Sequence, residues 1–105
     1  MYVFVRTDIP VQHQMAQACH GSLEAGNRFP NPSADPSSIV VIGVSDGNEL
    51  DAALLRAEKA GIRTALFFEP DWDYGHTSFG TEPISKDRGN RAFRRFDLWK
   101  PKCCA

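Results

Sequence analysis

Apolar residues in this chain gather into short runs, and the spacing inside each run indicates the element it builds. "YVFVR", residues 2–6, is β-branched and aromatic and predicts a buried strand. Pro10 suits the first turn of a helix, where its missing N–H is not needed. Val11, Met15, Ala18, Cys19 and Ser22 then recur at helical spacing. That stripe runs on to Leu23 and is expected to face a core, with Gly26 as the stop. "RFPNPSADPSS", residues 28–38, contains three prolines and three serines and reads as an irregular connection, long for a compact domain.

"SIVVIGV" (38–44) is apolar on both sides, the pattern of a central strand covered on both faces. In "SDGNELDAALLRAEKAG" (45–61), Asp46 and Glu49 form a D-x-x-E capping box, in which each end satisfies an unpaired backbone N–H. Leu50, Ala53, Leu54 and Ala57 supply the apolar stripe of that helix, and Gly61 its stop. "IRTALFF" (62–68) is the next strand, closing at Glu69-Pro70. The acidic aromatic loop "EPDWDYGH" leads to "TSFGTEPI" (77–84), a weaker strand by pattern. Residues 86–95 look helical, and "FDLW" (96–99) can add a short edge piece. The order is β, α, loop, β, α, β, β, α. Its strand-helix-strand units predict an α/β fold: a three-layer sandwich, with a mixed sheet of about four strands and helices on both faces. Residues 1–105 fit a single domain.

Composition changes this picture little: 42% apolar and 24% charged is ordinary for a globular chain. No run approaches the ~20 apolar residues of a membrane span, so no membrane partner and a cytoplasmic location are expected. Three cysteines make no disulfide framework. Cys103 and Cys104 read as tail residues, and Cys19 as a small buried side chain more than a nucleophile. Charge adds more. Lys86, Arg88, Arg91, Arg94, Arg95, Lys100 and Lys102 face only Asp87 and Asp97, whereas the first 85 residues are acidic. Such polarity fits a local phosphate-binding surface, or simply a solvated basic helix.

Candidate chemistry begins with "HQMAQACH" (13–20), which places His13, Gln17 and His20 on one helix face. Two histidines binding one zinc from a helix sit at i, i+4, and these are at i, i+7, so the spacing argues against a metal site. The sequence carries no phosphate loop of the G-x-x-x-x-G-K-[ST] or G-x-G-x-x-G kind, and no G-x-S-x-G elbow. What remains is His13 and His20 facing an acidic loop with Glu69, Asp71 and Asp73. Those carboxylates lie at the C-terminal end of a strand, where α/β sheets bind ligands. A carboxylate beside an imidazole can poise it as a general base, although a polar loop beside a hydrogen-bonded histidine has the same spacing.

"VRTD" followed by "AQACH" in the first helix resembles the type II peptidyl-tRNA hydrolase family of archaea and eukaryotes, which carries an A-Q-x-x-H element there. "TSFGTEP" (77–83) is similar to a family strand with threonine at its start and proline six residues later. The closing "FRRFDLWK" is similar to the family's final segment, and "FFEPDWD" looks like a divergent, small bacterial or phage-like branch. Two positions depart from the family. His13 stands where the family has lysine, and "EPDWDYGHT" replaces a D-A-G-x-T loop. Gln17, His20 and Thr77 match, while Glu69, with Asp71, is an inferred stand-in for the aspartate.

The resemblance implies a metal- and cofactor-independent hydrolase that cleaves the ester joining a peptide to tRNA. Glu69 or His20 would activate water, and Thr77 would donate a hydrogen bond at the reacting centre. His13 would supply charge only in its protonated form. Lys86, Arg88, Arg91, Arg94 and Arg95 would grip tRNA phosphates. The competing readings are an inactive tRNA- or RNA-binding module and a protein-interaction domain. A homodimer is also open.

Overall fold

The computed structural model describes residues 1–31 and 38–101. Four strands, β1 (Tyr2–Arg6), β2 (Val40–Val44), β3 (Thr64–Glu69) and β4 (Gly75–Thr81), form one mixed sheet in the order β2-β1-β4-β3. β1 pairs with β2 in parallel, and β4 runs antiparallel to both β1 and β3. Helix α1 (Val11–Arg28) lies across β4, β3 and β1. Helices α2 (Gly47–Lys59) and α3 (Lys86–Phe93) cover the opposite face. The architecture is therefore the expected three-layer α/β sandwich. Among the described residues no helix is long and apolar enough to cross a membrane.

The α2/α3 face holds the larger apolar core. Phe4 and Phe79, directly opposite in the β1–β4 register, stack with ring centroids 4.5 Å apart, and Phe93 meets Phe4 edge-on. Leu50, Ala53 and Ala57 of α2 join them, buried as their spacing predicted. The capping box forms with its return arm shifted by one residue: Asp46 Oδ1 accepts from the Glu49 N–H at 2.9 Å, and Glu49 Oε1 accepts from the N–H of Ser45, just before the N-cap, at 3.2 Å. Gly61, at φ +73°, ends the helix in the left-handed region.

The α1 face differs, and it corrects the sequence reading. Val11, Met15 and Leu23, expected in a core, are half or more exposed, and Cys19 is exposed too. The buried stripe is instead Gln14, Gln17, Gly21 and Ala25. Steric room explains the exchange. A Cβ at Gly21 would come within 2.8 Å of Ser78 Oγ, and one at Gly80 within 2.6 Å of the Ala25 Cβ. The two glycines let α1 lie close on β4, and a row of large apolar side chains would hold it away. The helix also continues past Gly26 to Arg28.

Strand positions need correction as well. β2, read as central, is an edge strand, its outer side met among the described residues by a bridge between Ile42 and Leu98. That bridge is the edge piece expected from "FDLW". β4, the weakest strand by pattern, is central and buried from Thr77 to Thr81. Lys102, Cys103, Cys104 and much of the proline-rich connection lie outside the described residues.

Candidate active site

Beside the C-terminal end of β3, where α1 crosses it, three polar side chains from three elements meet. The β3–β4 register slips between Phe67 and Phe68: Phe67 pairs with Ser78 and Phe68 with His76, leaving Thr77 as the extra residue of a bulge. A bulge re-aims side chains, and here two consecutive residues of β4 both turn toward α1. Ser78 Oγ donates to the Gln17 carbonyl at 2.7 Å, and Thr77 Oγ1 donates to Gln17 Oε1 at 2.5 Å. With its oxygen engaged, the Gln17 amide points its nitrogen at Glu69 and donates to Oε1 at 2.7 Å. Gln17 is 2% exposed and Thr77 is fully buried, whereas Glu69 keeps 9% of its surface open. The chain Thr77–Gln17–Glu69 thus ends on a nearly buried carboxylate beside the turn that follows β3.

Thr77 spends its hydroxyl proton on Gln17. In this structure that proton faces the Gln17 amide and, among the described residues, no other acceptor. Asp71 lies in the following turn, and its backbone N–H reaches Glu69 Oε2 at 3.4 Å while its own side chain is exposed. His20 is not brought into the chain. It stacks on Phe67 with centroids 4.4 Å apart and planes within 3°, on the exposed side of α1.

His13 does reach the acidic loop. Its Nδ1 lies 2.7 Å from the Tyr74 hydroxyl, and its ring is 4.5 Å from that of Trp72. Trp72 is 63% exposed, so its indole rests on His13 and leaves the rest of its surface to solvent. The turn that carries it, Asp71–Asp73, is strained: Trp72 and Asp73 both have φ near +55° (56° and 54°) without being glycine. Such a conformation costs about 1–3 kcal/mol at each residue and persists only where contacts fix it. Arg6 supplies one. Its Nη1 donates to the Tyr74 carbonyl at 2.8 Å, while Nε and Nη2 grip Asp8 at 2.9 and 2.8 Å. This pairing holds the Asp8 carboxyl below, and the Arg6 guanidinium above, their ordinary values.

Sequence reasoning passed over Arg6, Trp72 and Tyr74 as site residues. The signals are present in "VRTD", which the sequence offers as part of a family resemblance, and in "EPDWDYGH", which it offers for its carboxylates.

The basic residues lie in the opposite layer and divide into groups. Arg88 donates to the carbonyls of Ala60 and Gly61, closing the C-terminal end of α2, so its role is structural. Arg91 pairs with Asp87 at 3.3 Å on the surface, and Arg95 lies over the Phe96 ring. Lys86 and Arg94 flank a groove along β2. Among the described residues no three His, Cys, Asp or Glu side chains are grouped as a metal site would group them. No protein-family model matches the chain, and no curated protein matches it either.

Proposed function

We propose that the chain is a peptidyl-tRNA hydrolase-like enzyme, cleaving the ester between a peptide or N-blocked aminoacyl group and the 3′ ribose of tRNA. The observation that carries this reading is the buried chain Thr77–Gln17–Glu69. It holds a carboxylate in one orientation at a strand end, using two of the residues on which the family resemblance rests. Glu69 takes a proton from water as the water oxygen attacks the ester carbonyl carbon. Collapse of the tetrahedral intermediate breaks the bond to the ribose oxygen, which recovers that proton and leaves as free tRNA. Gln17 and Thr77 are positioning residues, and the exposed Trp72 indole, tilted 33° against the His13 ring, offers a face for a substrate ring.

Lys86, Arg91, Arg94 and Arg95 are exposed and can meet phosphates, whereas Arg88 is engaged. They lie across the sheet from Glu69. The domain measures 36 × 27 × 26 Å, small enough for one RNA to contact both layers.

The test is incubation with N-acetylaminoacyl-tRNA, following the release of free tRNA. Release above the uncatalysed rate is expected. His20→Ala should reduce it far less than a change at Glu69, because His20 lies outside the hydrogen-bonded chain. Intact tRNA binding without release would leave an RNA-binding module, and neither binding nor release a protein-interaction domain.

A further inference from the structure

One surface cavity shares Lys86 and Arg94 with the basic residues named above but lies away from Glu69. It is a groove of about 700 Å³ along the outer side of β2, walled by α3 and by the segment that returns over the sheet edge. Its volume is in the range of small-molecule sites. The floor is apolar: Val40, Ile42 and Phe93 below, with Phe96, Leu98 and Trp99 closing the far wall. The near wall is a row of donors. Lys86, Asn90 and Arg94 stand at i, i+4 and i+8 on one face of α3 and its C-cap, about 6 Å apart along the axis. The Tyr2 hydroxyl lies 3.4 Å from both Asn90 Oδ1 and the Lys86 carbonyl, either of which can accept its one proton, while the Asn90 side chain stays exposed with its amide N–H groups to donate.

Among the described residues neither Lys86 nor Arg94 pairs with a carboxylate, unlike Arg6, Arg63 and Arg91, and no acidic side chain lines the groove. Two uncompensated cations and an amide donor over an apolar floor call for a ligand with both properties. An anionic head satisfies the row of donors, and an apolar body covers the floor. We propose that this groove binds a small amphipathic anion, a carboxylate- or phosphate-headed molecule with an aliphatic or aromatic body. The site lies on the opposite side of the sheet from Glu69 and stands whether or not the chain is a hydrolase.

Trp99 borders the groove, its indole Nε1 donating to Gln14 Oε1 at 2.7 Å on the α1 side of the sheet, and Trp72 is the only other tryptophan, so a Trp72→Phe background makes Trp99 a single indole reporter at the groove's edge. Octanoate is expected to shift Trp99 emission saturably, and 1-octanol, with the same chain but no charge, to bind about tenfold more weakly. Lys86→Gln combined with Arg94→Gln should abolish that preference. The octanol response and the thermal midpoint should stay unchanged, since both residues are exposed. Equal affinity for the two ligands overturns the proposal, as does full octanoate binding by the double variant. So does the absence of a saturable response up to about 10 mM octanoate. Binding to vesicles of anionic lipid without binding of octanoate would overturn a small-molecule occupant.

Discussion

The two faces of the sheet are built on opposite principles. Toward α2 and α3, aromatic and aliphatic side chains fill the interlayer space: Phe4 on Phe79, Phe93 against both layers, Leu50 at the centre. Toward α1, buried Gln14, Gln17, Thr77 and Ser78 sit beside a smaller apolar cluster of Ala25, Phe29 and Ala65, with glycine where the layers come closest. Apolar contact is non-directional and tolerates exchange of shape. A hydrogen-bonded layer holds each atom to one place and suffers when any partner is lost. One face supplies stability; the other orients Glu69.

Neighbouring residues of β4 can separate these roles. Phe79→Ala opens a cavity in the apolar layer and should cost about 3–5 kcal/mol in chemical denaturation. Gly80→Ala should cost about 1–3 kcal/mol by driving α1 off the sheet. Amide exchange would distinguish the two: deprotection confined to α1 is expected only for Gly80→Ala. Gln17→Ala leaves the Thr77 hydroxyl and Glu69 without their buried partner. A loss of about 2–3 kcal/mol is expected, together with release of the Glu69 side chain, readable from its carboxyl carbon shift.

How far these layers could be read from the sequence follows from where their causes lie. The capping box at Asp46 and Glu49 and the stripe of α2 are local, so a short window contains them entirely. The edge position of β2 is not local. Its apolar run is the same whether a strand or the returning Leu98 lies beside it. "TSFGT" scores as a weak strand because its residues are small and polar, yet Gly80 and Ser78 are what permit a helix to lie so close. The same close approach reverses the reading of α1, whose apolar stripe faces outward. Of the candidate site, Gln17, Thr77 and Glu69 were named from sequence. The link between them depends on a bulge that no periodicity announces.

Smaller effects sharpen the contrast. Asp73→Gly removes one left-handed non-glycine residue and should stabilise the fold by roughly 1 kcal/mol. If Trp72 is held for function, that gain comes with looser stacking on His13, measurable as increased quenching of Trp72 by acrylamide. The polar contacts should also be acid-sensitive where the apolar core is not. Asp8 is held low chiefly by its hydrogen bond from Arg6, and Glu82 chiefly by the backbone N–H of Arg63. A carboxyl depressed in the folded state stabilises fully above its ordinary value, and that contribution disappears as pH falls through the depressed one. Urea denaturation from pH 7 down to about pH 3 should therefore show falling stability. Glu82→Gln should make the acid limb shallower and lower the stability at neutral pH.

The central claim is that the hydrogen-bonded face exists to present the Glu69 carboxylate to water. Single-turnover cleavage of N-acetylaminoacyl-tRNA by the wild-type chain and by Glu69→Gln tests it most directly. The substitution keeps the size of the side chain and one carbonyl acceptor for Gln17. The wild type should release tRNA. The variant, folded to the same thermal midpoint within a few degrees, should lose about 100-fold or more in rate. A wild type that releases none, or a variant that matches it, would contradict the account.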